Sequence, residues 1–179
     1  MARRRTAFDL LLDIDQRCRA RAAVLPSQEA PLHRWSGIGF RLAGQWHVAP
    51  MGEVAEVLHE PRLTPIPGVK PWVRGVSNLR GRLLPIMDLC AYFGYELSPL
   101  RKQRRVLIVE HRDVFVGLLV DEVAGLQHFS LAGHDLSQPG VLDPGIAPFV
   151  QGYFQREQAW CVFSPYALVQ ASGFMSVAL

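Results

Sequence analysis

Long apolar runs are missing from this 179-residue chain. No stretch approaches the roughly 18 uncharged residues that a membrane-spanning helix needs, so we expect no direct membrane insertion. Three aspartates interrupt the apolar residues 7–15, which leaves no hydrophobic core for a signal peptide. These absences together predict a cytoplasmic protein.

Lysine and cysteine are scarce. Only Lys70 and Lys102 are present, which removes most candidates for Schiff-base chemistry. Cys18, Cys90 and Cys161 are widely spaced and form no CxxC pair, so neither a zinc site nor a disulfide framework is indicated. Each cysteine has apolar neighbours in the sequence, and we expect each to be buried as a small apolar side chain.

Catalytic and cofactor motifs are also absent. The sequence contains no phosphate-binding loop, no dinucleotide fingerprint, no metalloprotease helix and no nucleophile elbow. Two groups of residues come nearest to a site. The residue types that could bind a metal are His128, His134 and Asp135, which lie in a glycine-rich loop. A catalytic triad could be imagined from Ser77, His111 and Asp121. Solvated loop histidines are commoner than ligands, and a chain of this length supplies such triads by chance. We therefore expect no catalytic residue, no metal and no cofactor.

Composition and charge indicate a globular chain. Apolar residues make up 49% and charged residues 20%, in a length that suits one ordinary domain or two very small ones. The net charge of +3 arises within residues 1–21, and residues 22–179 hold equal numbers of basic and acidic side chains. A neutral body argues against a nucleic-acid-binding surface, because phosphate contacts need uncompensated cations.

The residue pattern predicts an N-terminal helix followed by short strands. Residues 6–23 form an amphipathic pattern that opens with a Thr6–Asp9 capping box and contains the i,i+4 pairs Asp13–Arg17 and Asp15–Arg19. Hairpins are predicted over residues 38–48, 106–120 and 150–163, with a stiff proline-rich connection at 61–71 and a surface loop at 131–149. Residues 75–88 and 152–164 share one order of strand, turn, strand and helix N-cap. Two similar β units suit a pair of small barrels with a common core.

One stretch, residues 72–89, stands out. It places Arg74, Arg80 and Arg82 around a turn whose tip is formed by residues 78–81, with Gly81 suited to a tight hairpin. Leu79 beside Arg80 would make a binding patch from an apolar anchor and a multi-donor neighbour. The alternative, which spacing alone favours, is an ordinary turn whose leucine folds back on the barrel. Arg82 lies just past the turn, and we expect it to contribute much less to any binding.

This stretch resembles the signature of the CheW-like chemotaxis coupling family. The positions that match are Trp72, Val73, Arg74, Gly75, Val76, Asn78, Leu79, Arg80, Gly81, Leu83, Leu84, Pro85, Ile86, Asp88 and Leu89. Residues 40–46, 54–57 and 114–123 resemble further family elements, and the resemblance covers about residues 36–170. It is strongest toward the adaptors of type IV pilus (twitching motility) pathways. The C-terminal helix cap departs from the pattern, since Ser164 stands where the family often has aspartate; both residues cap helices.

The resemblance implies a fold and a function. The fold is mostly β, with two small SH3-like five-stranded β-barrels sharing a core, plus the N-terminal amphipathic helix and a short C-terminal helix. The domains are then residues 1–35 (helix and linker), 36–170 (CheW-like domain with two barrel subdomains) and 171–179 (C-terminal tail). The function is that of a non-catalytic cytoplasmic adaptor, recruited to membrane receptor arrays, between the cytoplasmic tip of a methyl-accepting chemoreceptor and the regulatory domain of a CheA-type histidine kinase.

The resemblance also assigns two sets of contact residues. The receptor-binding set is Glu56, Asn78, Leu79, Arg80 and Val106. The kinase-binding set is Phe115, Val116, Gly117 and Leu118, and the glycine in this strand suggests that its edge approaches the kinase backbone. The alternatives left open are a coupling protein of a flagellar pathway, a small-barrel nucleic-acid-binding module and an enzyme without a recognisable motif.

Overall fold

The computed structural model describes residues 7–21, 34–131, 134–135 and 143–179. The chain divides into two compact units, Met1–Leu32 and His33–Leu179. None of the helices in these described ranges combines the length and the apolar character that crossing a membrane requires.

The described residues of the first unit form the helix α1 (Ala7–Arg21). Both predicted i,i+4 ion pairs are confirmed, with Arg19 Nε lying 3.0 Å from Asp15 Oδ2 and Arg17 pairing with Asp13. The predicted Thr6 cap lies outside the described residues. Cys18 is exposed, so the expectation of burial is wrong for this cysteine and holds for the other two.

The second unit is built mainly from eleven short strands. In chain order they are β1 (Arg34–Leu42), β2 (Gln45–Pro50), β3 (Glu56–His59), β4 (Val73–Leu79), β5 (Arg82–Asp88), β6 (Arg105–His111), β7 (Val114–Val120), β8 (Glu122–Ser130), β9 (His134–Asp135), β10 (Val150–Gln155) and β11 (Ala159–Phe163). Three short helices, α2 (Leu89–Tyr92), α3 (Pro165–Gln170) and α4 (Ser172–Met175), follow β5 and β11. Single 3-10 turns stand at Met51–Glu53 and Ala147–Phe149.

The strands form two sheets, and the mostly β fold is confirmed. One sheet has five strands in the order β3-β6-β7-β5-β4, and the other has six in the order β8-β1-β2-β11-β10-β9. The sixth strand is the two-residue β9, in the region predicted to be a loop. All three predicted hairpins are present as β1–β2, β6–β7 and β10–β11.

The predicted internal repeat is visible in the pairing pattern. The hairpins β4–β5 and β10–β11 each contain a register shift near a glycine, between Val73 and Gly75 and between Val150 and Tyr153. The second strand of each hairpin then pairs in parallel with a strand of another hairpin, β5 with β7 and β11 with β2. A helix N-cap ends each unit: Asp88 accepts a hydrogen bond from Ala91 N at 3.0 Å, and Ser164 accepts one from Ala167 N at 3.1 Å.

Alternate residues of each strand serve different cores. On β6, Val106 and Ile108 face the interior of the five-stranded sheet, whereas Leu107 and Val109 face a core shared by the two sheets. The six-stranded sheet has its own interior cluster, formed by Val48, Phe129, Phe154, Trp160 and Val162. This period of two is the pattern expected of strands buried on both faces, and it confirms two small SH3-like barrels around a common core.

Two described segments of the second unit that lie outside the sheets pack against it. Within the proline-rich connection, Thr64 forms an antiparallel bridge to Val76 of β4. The residues predicted as a C-terminal tail are part of the second unit: Phe174 of α4 is fully buried in the shared core, and Leu179 N donates to Gly68 O.

His47 on β2 makes the stability of the fold sensitive to pH. It is fully buried between Phe40 and Phe163, its Nδ1 contacts Gln45 O at 3.2 Å, and its Nε2 has no hydrogen-bond partner within the described residues. Burial lowers the pKa of His47 from 6.5 to about 4. Because the unfolded chain binds this proton more tightly, the stability contributed by neutral His47 is present above pH 6.5 and is lost as the pH falls toward 4.

We expect the free energy of unfolding to decrease by about 1 kcal/mol through this group between neutral pH and pH 5.5. The measurement is urea unfolding of the wild type and of His47→Phe, which keeps an aromatic ring but cannot titrate. The stability difference between the two proteins should shift in favour of the variant as the pH falls. A difference that stays constant from pH 7 to 5.5 would contradict the assignment.

Candidate functional site

The tip of the β4–β5 hairpin is a two-residue turn at Arg80 and Gly81. Both residues have positive φ, +50° and +85°, and the flanking Leu79 and Arg82 are paired. Positive φ at both central positions is the geometry of a type I′ turn, whose twist matches that of the strands. Asn78 Oδ1 accepts a hydrogen bond from Gly81 N at 2.8 Å. The predicted tight turn is confirmed, and the Asn78 side chain holds its shape.

Arg80 projects from this tip and forms an ion pair with Glu56. Its Nη2 lies 2.8 Å from Glu56 Oε1, and the Arg80 side chain is 75% exposed. Glu56 opens β3, one outer strand of the five-stranded sheet, and Arg80 follows β4, the other outer strand. The pair therefore links the two outer strands at one end of the barrel. Because its guanidinium has five N–H donors and is mostly exposed, Arg80 retains donors for a partner.

Beside this ion pair lies a hollow of about 140 Å³. Its lining combines three apolar residues with two Arg–Glu pairs and Ala55: Ala55, Glu56, Leu79, Arg80, Arg82, Ile108, Glu110 and Phe115. Leu79 folds partly into the barrel, as the alternative interpretation expected, and packs against the interior cluster. It also lines the hollow, so the two interpretations of this leucine are compatible. An apolar floor with charged walls suits a protruding apolar side chain of another protein.

Arg82 was expected to contribute little to this site, and Glu110 was not predicted for it. Arg82 Nη1 lies 3.0 Å from Glu110 Oε1, and the Arg82 guanidinium carbon lies 3.9 Å from the centroid of the Phe115 ring. The alternation along β6, which places Glu110 on the same strand face as Val106 and Ile108, is the sequence signal that could have indicated Glu110.

Three of the remaining predicted contact residues lie inside the protein. Val106 and Leu118 are fully buried and Val116 is 2% exposed. Their side chains belong to the cores and reach no partner surface. Phe115, predicted for the kinase side, lines the same hollow as Arg80. The structure thus brings Glu56, Leu79, Arg80 and Phe115 together and separates them from the buried members of both sets.

The predicted edge contact of β7 is wrong, because β7 is an inner strand. Gly117 pairs with Ile108 of β6 on one side and with Ile86 of β5 on the other. A Cβ atom added at Gly117 would lie 2.6 Å from both Ile86 Cδ1 and Val106 Cγ1. The glycine is therefore required by packing within the barrel and does not indicate a partner backbone.

We expect Gly117→Ala to lower the free energy of unfolding by about 1 to 2 kcal/mol, since overpacking a filled core forces side chains out of their preferred rotamers. Thermal melting or urea unfolding measures this. The matched control is Gly52→Ala, where an added Cβ meets no atom within 4 Å. Equal stabilities of the two variants would show that this packing is unimportant.

Three of the side chains that could act as a nucleophile or as members of a catalytic triad are protonated or hydrogen-bonded to other groups. Burial, reinforced by the charges of Asp121 and Asp88, raises the pKa of Cys90 to about 12, so this thiol stays protonated and is a poor nucleophile at neutral pH. Asp121 accepts a hydrogen bond from Ser98 N, and His111 pairs with Gln170. Across residues 7–21, 34–131, 134–135 and 143–179, no three histidine, cysteine or acidic side chains are grouped to hold a metal ion.

Comparisons with known proteins agree with this architecture. The CheW-like domain model matches residues 36–173. The chain is 63% identical over 174 residues to Protein PilI of Pseudomonas aeruginosa, covering 97% of each protein. It is 30% identical over 95 residues to Chemotaxis protein CheW of Thermotoga maritima, covering 53% of this chain and 62% of that protein. The crystal structure of scaffolding protein TtCheW from Thermoanaerobacter tengcongensis superposes with a TM-score of 0.66 at 25% identity, covering 80% of this chain and 98% of that one.

Proposed function

The chain belongs to the CheW-like domain family and is therefore a non-catalytic scaffold; we propose that it couples a methyl-accepting chemoreceptor to a CheA-type histidine kinase in a pilus-driven motility pathway. In this function it acts in the cytoplasm, at the tips of membrane receptors. The similarity to PilI across 97% of the chain supports the pilus pathway over a flagellar one, because the similarity to CheW of T. maritima covers 53% of the chain.

The observation that carries the proposal is the Arg80–Glu56 pair beside the hollow. Arg80 lies at an exposed hairpin tip within residues 72–89, which resemble the family signature, and both residues of the pair fall within the matched range 36–173. Arg80 is held by one ion pair and keeps free donors, which suits carboxylates or exposed carbonyls on a receptor tip. We propose that Glu56, Leu79, Arg80 and Phe115 contact the receptor, that Asn78 shapes the turn, and that buried Val106, Val116 and Leu118 support the surface from within.

The test measures both binary affinities by isothermal titration calorimetry. One titration uses a soluble fragment of the receptor's cytoplasmic tip, and the other uses the regulatory domain of the kinase. We expect saturable binding to each. A third titration with a duplex oligonucleotide should give no specific binding, since residues 22–179 carry no net charge. A chain that binds the oligonucleotide and neither protein would overturn the proposal.

A further inference from the structure

The Arg82–Glu110 pair is exposed at the hollow, where a partner protein could contact it. The Arg82 and Glu110 side chains are 57% and 49% exposed, and both line the same hollow as Arg80. An exposed ion pair of this kind contributes between zero and about 1 kcal/mol to stability. Stability of the fold alone therefore does not explain why two charged side chains lie at the rim of an apolar hollow.

Phe115 fixes the orientation of the Arg82 guanidinium. The 3.9 Å separation between the guanidinium carbon and the ring centroid is a close cation–π contact, which presents the planar group at the surface of the hollow. One N–H group, on Nη1, is bonded to Glu110. Within the described residues Arg82 donates no other hydrogen bond, so most of its five donors are available to a ligand. An arginine held in one orientation loses little rotamer freedom when it binds.

Arg80 and Arg82 together give the hollow two exposed guanidinium groups. Each is paired with one glutamate of the chain, Arg80 with Glu56 and Arg82 with Glu110. Between them the floor formed by Leu79, Ile108 and Phe115 is apolar. The ligand complementary to such a surface carries an apolar side chain together with two carboxylates.

The sequence alone predicted a minor role in binding for Arg82; from the contacts in the structure we propose instead that Arg82 is a second receptor-binding residue, oriented by Phe115 and Glu110, and that it receives a carboxylate of the receptor tip. The receptor surface then presents one apolar side chain to the floor, one carboxylate to Arg80 and one to Arg82. This inference rests on the proposed function and defines the chemistry of its receptor side.

The test is the exchange of the two charges in the double variant Arg82→Glu with Glu110→Arg. The exchange retains an opposite-charge pair within the chain, so the melting temperature should stay close to that of the wild type. It places a carboxylate where the receptor's own carboxylate binds, so the affinity for the receptor-tip fragment should fall by about tenfold or more. If the Arg82–Glu110 pair were purely structural, the exchanged variant would keep both the stability and the receptor affinity of the wild type.

A second set of receptor fragments identifies the partner group. Each fragment carries one acidic residue of the tip replaced by arginine. One of them should bind the charge-exchanged variant more tightly than the unaltered fragment does, because the reversed pair is then complementary.

The matched control is the exchange Arg41→Glu with Glu122→Arg. This pair lies in the six-stranded sheet, and Arg41 also stands over an aromatic ring, that of Trp46. It does not line the hollow, and receptor affinity should be unchanged. If the Arg82–Glu110 exchange does not fold, the neutral double variant Arg82→Met with Glu110→Gln replaces it, with an expected loss of about fivefold.

The outcomes separate this inference from the proposed function. Wild-type affinity in the folded exchange variant, together with lost binding in Arg80→Ala, would overturn the role of Arg82 alone. A wild-type chain that does not bind the receptor fragment at all would overturn the proposed function and this inference with it.

Discussion

Replacing Arg80 with alanine will weaken binding to the receptor-tip fragment by about 30-fold or more and leave the melting temperature near that of the wild type. The loss corresponds to about 2 kcal/mol, the level expected of a central charged residue in an interface. Stability is preserved because the Arg80 side chain is 75% exposed and its partner Glu56 is itself accessible to water. Calorimetric titration, with a thermal melt of the same sample, measures both quantities.

Arg101→Ala is the matched control for this variant. Arg101 is also an exposed arginine paired with a glutamate, Glu60, at 3.3 Å, and it precedes the opposite end of β6 from Glu110. Arg104 remains beside Glu60 in that variant, so the buried carboxylate keeps a partner. Receptor affinity should be unchanged. If Arg80→Ala binds like the wild type, the hairpin tip is not the receptor site, and if the variant unfolds, Arg80 is a structural residue.

Gly75→Ala will destabilise the protein by about 4 kcal/mol or more, and we expect little folded protein to accumulate. The φ of Gly75 is +132°, a backbone conformation that residues other than glycine rarely adopt. A Cβ atom there would lie 2.2 Å from Thr64 O, and Thr64 is held against β4 by two backbone hydrogen bonds with Val76. Neither backbone can move without breaking this bridge.

The control that isolates the clash is Gly94→Ala. Gly94 also has a positive φ, +81°, but an added Cβ meets no atom within 4 Å. This variant should therefore lose only the smaller cost of an unfavourable φ, about 1 kcal/mol. Comparison of soluble yield and urea unfolding for the two variants tests the account; equal destabilisation would show that the Thr64 contact is unimportant.

The parts of the fold that were predictable from sequence depend on short-range patterns. The hairpin tip at Arg80 and Gly81, the N-caps Asp88 and Ser164, and the ion pairs of α1 each involve residues within four positions of one another. Two short apolar runs separated by a polar turn likewise identified β6 and β7, because such a pattern is local.

The parts that were missed depend on pairing between distant segments. The inner position of β7 arises from its parallel pairing with β5, which joins Ile86 to Gly117, and no local pattern reports such a crossover. Glu110 joins the site because the folded sheet brings its carboxylate within 3.0 Å of Arg82 on β5, a strand distant from β6 in the sequence. The burial of Glu60, 5% exposed beside Arg104, likewise depends on contacts across the sequence. The turn pattern and the family resemblance therefore located Arg80 and Glu56 but not the second ion pair.

The proposed coupling function is tested most directly by asking whether the chain holds both partners at once. The receptor-tip fragment is immobilised, the regulatory domain of the kinase is passed over it, and the retained kinase is measured with and without the chain. We predict that the kinase domain is retained only when the chain is present, and that retention is lost when the chain carries Arg80→Ala. Retention that does not depend on the chain, or a kinase domain that displaces the chain from the receptor, would contradict the proposal.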